Sequence, residues 1–135
     1  MRGKCVMLAV LMLGIGCGGA PSGPPLYEVS GTVRFEGELV PEGEIAFIPE
    51  PADIESGSVQ SAKIEGGEFH ARVTSGSKRI EIYAQREVPG KIEVLEDGRM
   101  VPVVESYIPP KYNEASELTA NVTSEDNPPL SFDLK

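Results

Sequence analysis

Apolar and polar residues alternate with a period of two from Tyr27 to the end of the chain, a rhythm that predicts strands. In segment 27–35, Val29, Val33 and Phe35 share a face with Gly31 between them, while Glu28, Ser30, Thr32 and Arg34 take the other. A turn at Glu36-Gly37-Glu38 and a bend over 39–43 lead to a strand with Ile45 and Phe47 inward. Pro49 and Pro51 end it, because proline has no amide to donate to a ladder. Segments 59–64 and 68–73 read as a hairpin around Glu65-Gly66-Gly67, with Phe69, Ala71 and Val73 on one face and His70 and Arg72 on the other. In 78–86, Ile80, Ile82 and Ala84 alternate with Glu81, Tyr83 and Gln85. Segments 91–95 and 100–104 flank Glu96-Asp97-Gly98 as a second hairpin, placed outside the main sheets. The last strands, 116–122 and 130–134, are separated by Asn127-Pro128-Pro129. Nothing after Cys17 carries a helical period beyond one short turn within 113–118.

Seven or more short strands in about 110 residues, punctuated by Gly and Pro, predict one all-β domain over 27–135, a sandwich or a small barrel. The apolar positions of those strands are enough for an ordinary core at this size.

The first residues follow a different pattern. Arg2 and Lys4 precede an apolar run over 6–15, and Gly16-Cys17-Gly18-Gly19 closes it with small residues around one thiol. The run is much shorter than the roughly 20 residues of a membrane-spanning helix and has no polar face for a globular one. It reads as a lipoprotein signal peptide over 1–16, with Cys17 as the lipidation site. Gly14 stands where such signals usually carry Leu, and Gly18 with Ala20 offers a rival cleavage site for simple secretion. Residues 17–26 have the composition of a flexible tether, long enough to hold the domain roughly 30 Å from a lipid surface.

Cysteine usage follows from this. Cys5 is lost with the leader and Cys17 takes the lipid, so the domain holds no disulfide and no cysteine chemistry. The chain has 12 basic and 21 acidic residues; loss of Arg2 and Lys4 leaves the mature side chains at −11. That charge excludes nucleic acid as a partner and opposes adsorption to an anionic bilayer, so the lipid alone would hold the domain at a membrane.

The motifs Cys17-Gly18-Gly19, Val29-Ser30-Gly31-Thr32-Val33, Phe35-x-Gly37, Val40-Pro41 and Gly43-x-Ile45-x-Phe47-Ile48-Pro49 follow one another along the chain. With Glu105-Ser106-Tyr107-Ile108-Pro109-Pro110-Lys111-Tyr112-Asn113, Ser116-x-Leu118 and Phe132-Asp133-Leu134 they cover nearly the whole chain. In these residues the chain resembles the small lipoproteins of planctomycete bacteria that carry a transthyretin-like, or carboxypeptidase regulatory-like, domain. It departs at Ser77-Lys78-Arg79, where that family usually has Gly-x-Tyr. The resemblance implies a Greek-key prealbumin-like β-sandwich of about seven strands in two sheets. It implies no activity, since the family is itself uncharacterised.

Candidate chemistry is sparse. His70 is the single histidine and falls on a polar strand face, and a triad would have to pair it with Ser61 or Ser75, where no nucleophile turn is visible. Glu36, Glu38, Glu42 and Glu44 gather near two turns, as do Glu93, Glu96 and Asp97, but without the Asp-x-Asp-x-Asp spacing of a calcium loop. The Ile108-Pro109-Pro110-Lys111-Tyr112-Asn113 segment is stiffened by its prolines. It either docks on the domain through Tyr107, Ile108 and Tyr112, or presents Tyr107, Lys111 and Tyr112 to a partner.

The expectation is therefore an exported, lipid-anchored, non-catalytic binding or structural module of the periplasm or cell surface, at the outer membrane. It needs no cofactor or metal, and its partner is an envelope protein or polysaccharide. The chain itself is expected to be a monomer. The alternative is a soluble secreted domain with a weak carboxylate site, for calcium or for acid-base work.

Overall fold

The computed structural model describes residues 18–19, 23–52 and 56–135. The leader and Cys17 lie outside the described residues. The alternating segments form β1 (Leu26–Phe35), β2 (Glu38–Leu39), β3 (Glu42–Pro49), β4 (Gln60–Glu65), β5 (Glu68–Thr74), β6 (Gly76–Tyr83), β7 (Gln85–Val94), β8 (Met100–Ser106), β9 (Thr119–Val122) and β10 (Leu130–Leu134). One 3-10 turn, Pro110–Tyr112, is the only helical element among the described residues.

Eight strands make one sheet in the order β10-β1-β5-β4-β3-β6-β9, with β2 paired to the end of β1. Every pairing in it is antiparallel except β1 with β10, where Gly31 to Phe35 run beside Leu130 to Leu134. The sheet is curled, and the side chains on its inner face meet in one core. Val29 and Val33 of β1, Ile45 and Phe47 of β3, Ile64 of β4, Phe69 and Val73 of β5, and Ile80 and Ile82 of β6 are buried there. The two outermost strands close the same core, β9 with Ala120 and Val122 and β10 with Phe132 and Leu134. Period two thus puts apolar side chains in and, Lys78 excepted, charged ones out, and curling removes both ends of the inner face from water.

The Gly66-Gly67 turn shows why this sequence folds locally as it does. Both glycines have positive φ, 59° and 80°, which suits a two-residue hairpin between twisted strands. Their amides donate to Pro41 O and Val40 O at 2.8 Å each, and Gly67 O accepts from Val33 N at 2.7 Å. The hairpin tip is thereby tied to the bend before β3. A Cβ at Gly67 would overlap the Leu39 side chain.

β9 begins at Thr119, three residues after the expected start, because Ser116 is engaged elsewhere. Its buried hydroxyl donates to Ile80 O and accepts from Leu118 N at 3.1 Å. That pair of bonds holds the chain in a turn until β9 joins β6.

Lys78 has an environment that its residue type does not suggest. It stands in step with Ile80 and Ile82 on β6, points inward and is 0% exposed. Its Nζ donates to Thr74 Oγ1 at 2.7 Å and to Ser56 O at 3.5 Å, while Thr74 Oγ1 itself donates to Ser56 O at 2.9 Å. Burial lowers the ammonium pKa, since desolvation penalises the charged form. A folded pKa below the unfolded value means the unfolded chain binds more protons between the two. Stability should therefore rise with pH from the lowered value up to the ordinary 10.5. Lys78→Met removes the charge and leaves Thr74 bonded to Ser56, and is expected to stabilise the fold by about 1–2 kcal/mol at neutral pH. Urea melts should show that advantage shrinking as the pH rises; a variant less stable than wild type at pH 7 would refute the account.

Candidate binding surface

Eight charged residues and a strip of apolar ones meet on the β7–β8 hairpin, which stands apart from the curled sheet. The two strands form their own two-stranded sheet and pair extensively only with each other. Register puts Gln85 opposite Ser106, Arg86 opposite Glu105 and Glu87 opposite Val104. Beyond an irregularity between Glu87 and Ile92, Ile92 faces Pro102, Glu93 faces Val101 and Val94 faces Met100. Residues directly opposite in an antiparallel pair share a face. One face therefore carries Ile92, Val94, Met100, Pro102 and Val104, with Glu87 beside Val104 at its base. Ile92 is 64% exposed, Val94 63%, Met100 73% and Val104 53%. The other face carries Arg86, Glu93 and Glu105, with Val101 and Val103 half-buried.

Both ends of this arm are held. At the tip, Leu95 N donates to Arg99 O and Gly98 N to Leu95 O, each at 2.8 Å, and Gly98 has φ of 83°. Asp97 accepts from Arg99 N at 3.0 Å and from Arg99 Nε at 2.6 Å. The Arg99 amide first, and its guanidinium second, hold the Asp97 carboxyl below its usual range. At the base, Arg86 pairs with Glu105 at 2.8 Å and lies over the Tyr107 ring, 5.2 Å from its centroid. Tyr107 packs edge-on against Phe35 at 5.7 Å, and its amide donates to Ala84 O at 3.4 Å. Burial raises the pKa of the Tyr107 phenol.

Tyr107, Lys111 and Tyr112, the partner-facing candidates of the sequence, thus have neighbours within the domain. Tyr112 Oη donates to Lys135 O at 2.9 Å and accepts from Lys135 N at 2.8 Å, which pins the end of β10. The Lys135 amide is the main cause of its lowered phenol pKa. Lys111 stays exposed, its Nζ 4.8 Å from the Tyr112 ring centroid. Ile108 is buried, and Asn113 Nδ2 donates to its carbonyl at 3.2 Å. Tyr112→Phe should leave the fold intact and speed amide exchange at Lys135 by at least about tenfold, relative to the amides of β1. Unchanged exchange would show that the hydroxyl does not hold the terminus.

The dispersed polar candidates do not converge. His70 is exposed on β5, and its side chain has no hydrogen bond among the described residues; it borders an open hollow of about 400 Å³ with Lys63, Glu65, Glu68 and Phe69. Glu42, Glu65 and Glu68 stand abreast across β3, β4 and β5, while Glu44 faces Lys63 and Tyr83. A second hollow of about 310 Å³ is lined by Tyr27, Glu28, Ser30, Glu125, Asp126 and Asn127. Among the described residues no three His, Cys, Asp or Glu side chains stand close enough to hold a metal ion. On the outer face of β6, Tyr83 donates to Glu81 at 2.6 Å and Arg79 bonds Glu81 at 2.6 Å and Glu50 at 3.3 Å. The hydrogen bond to Glu81 is the first cause that pushes the Tyr83 phenol up to about 12.

The fold and this surface define an all-β domain with a curled antiparallel sheet and a projecting two-stranded arm. Comparison with protein-family models, with curated proteins and with solved structures found no significant match. Sequence reading placed the 91–95 and 100–104 hairpin off the main sheets but did not single out its apolar strip. The available signal was that Ile92, Val94, Met100 and Val104 alternate like core residues in a segment with no strand left to cover them.

Proposed function

We propose that this protein is a tethered, non-catalytic binding module of the cell envelope, exported and anchored to a membrane through a lipid on Cys17. The observation that carries this reading is the β7–β8 arm, an ordered hairpin whose apolar face lies open to solvent. Large exposed apolar patches with polar margins are the usual mark of an interaction surface. Support for the anchor comes from the order of charge, apolar run and small residues at 2–19, and from the acidic surface that leaves no electrostatic route to a bilayer. The inner-face alternation and the curled sheet suit a transthyretin-like Greek-key sandwich, the finer fold proposed here.

Two measurements test this. Fatty-acid labelling of the chain in cells should be lost in Cys17→Ser; an unlabelled wild type would favour secretion with cleavage after Ala20. The Cys17→Ser chain should bind isolated envelope material saturably. Retention should fall at least about tenfold in Ile92→Glu/Met100→Glu, since each substitution puts a charge into the contact. Equal retention of the two chains would remove the arm from the binding surface.

A further inference from the structure

The arm also indicates its own partner. We propose that a second copy of this chain covers it, the two β7–β8 hairpins stacking their Ile92, Val94, Met100, Pro102 and Val104 strips face to face about a two-fold axis. This rests on reading the arm as a binding surface and replaces the single copy expected from the sequence.

Four properties of the arm point to a like partner. First, an isolated two-stranded hairpin is marginal in water, and this one has no layer of its own domain over the strip. Second, the five side chains present on the order of 500 Å² of apolar surface, so two strips would bury about 1,000 Å² in all, the threshold for a specific interface. Third, the part of the strip formed by Ile92, Val94, Met100 and Pro102 carries no charge, and Glu87, which shares this face opposite Val104, stands exposed at its base end. Two charge pairs lie inside each arm, Asp97 with Arg99 at the tip and Glu105 with Arg86 at the base. Fourth, a strip stacked on its own copy about a two-fold axis is isologous, the commonest closed arrangement of soluble chains.

Other occupants fit less well. The mature balance of −11 opposes a continuous anionic bilayer more than a second copy that presents the uncharged part of its strip, and the strip lacks the aromatic groups that hold a polysaccharide. Tethering adds to the case for self-association. Copies anchored at one surface through Cys17 would meet at a raised effective concentration, so an interface at the lower size limit would still be occupied.

The test uses the full chain, exported by its own leader in cells, with a photoreactive benzophenone amino acid in place of Met100. Irradiation should give a product of twice the chain mass, and mass spectrometry should join position 100 to a peptide within residues 85–106 of a second copy. Ile92→Glu in the same chain should reduce that product at least about tenfold. The same probe at Val59, an exposed apolar residue before β4, should give none. A product joining position 100 to a different polypeptide would overturn the second copy while leaving the binding reading standing. No product from position 100, with the chain exported and folded, would overturn the self-association outright. In that case the retention experiment on Ile92→Glu/Met100→Glu decides the binding reading separately.

Discussion

Phe69→Ala is expected to lower the unfolding free energy by about 3–5 kcal/mol, the range for removing a fully buried ring from a packed core. Phe69 is 1% exposed and lies at the centre of a chain of aromatic contacts, 6.0 Å from Phe47 and 6.2 Å from Phe132 by ring centroid. These three rings come from β5, β3 and β10, so one side chain joins the middle of the sheet to its edge. Deletion leaves a cavity that the surrounding strands cannot close, because their backbone ladders fix their spacing. For a domain whose whole stability is on the order of 5–15 kcal/mol, the loss would be a large fraction. Phe69→Leu should cost less than half as much. Urea unfolding followed by tyrosine fluorescence reads both, and an alanine variant within about 1 kcal/mol of wild type would show that this ring does not organise the core.

Gly31→Ala is expected to destabilise by about 2–4 kcal/mol, as large as the worst overpacking changes, although it adds a single methyl group. A Cβ at Gly31 would overlap the Leu130 carbonyl oxygen and lie 2.8 Å from Phe69 Cζ. The Phe69 ring could turn aside at modest expense, but the Leu130 carbonyl belongs to the parallel partner strand of β1 and cannot. β10 would have to separate from β1 at Gly31. Amide exchange in β10 should therefore rise more than in β5, and the variant combined with Phe69→Leu should recover only part of the loss. Uniform destabilisation with β10 still protected would mean that the sheet absorbs the methyl by shifting elsewhere.

The strand rhythm was legible because burial on one face demands it. Val29, Val33, Ile45, Phe47, Phe69, Val73, Ile80 and Ile82 all lie inside as alternation requires. Gly66-Gly67 marked its hairpin because positive φ at two successive positions leaves little choice but glycine. The Pro110–Tyr112 turn was less legible: two prolines favour extended backbone before them, and Pro109 is extended with ψ of 149°, yet Pro110 also suits the first position of a turn. Lys78 shares the inward parity of Ile80, but parity states a direction and does not reveal whether water reaches it.

The candidate surface divides the same way. Sequence alone determined an all-β chain, its turns, the separate position of the second hairpin, its acidic balance and a signal-like start, because each rests on neighbouring residues or on composition. Only the tertiary structure decided that β10 lies parallel beside β1, that one curled sheet encloses the core, that Tyr112 holds the C-terminus, and that the Ile92 strip stays uncovered. Those outcomes depend on which distant segments meet, and an apolar residue in a strand has the same local pattern whether a second layer covers it or water does.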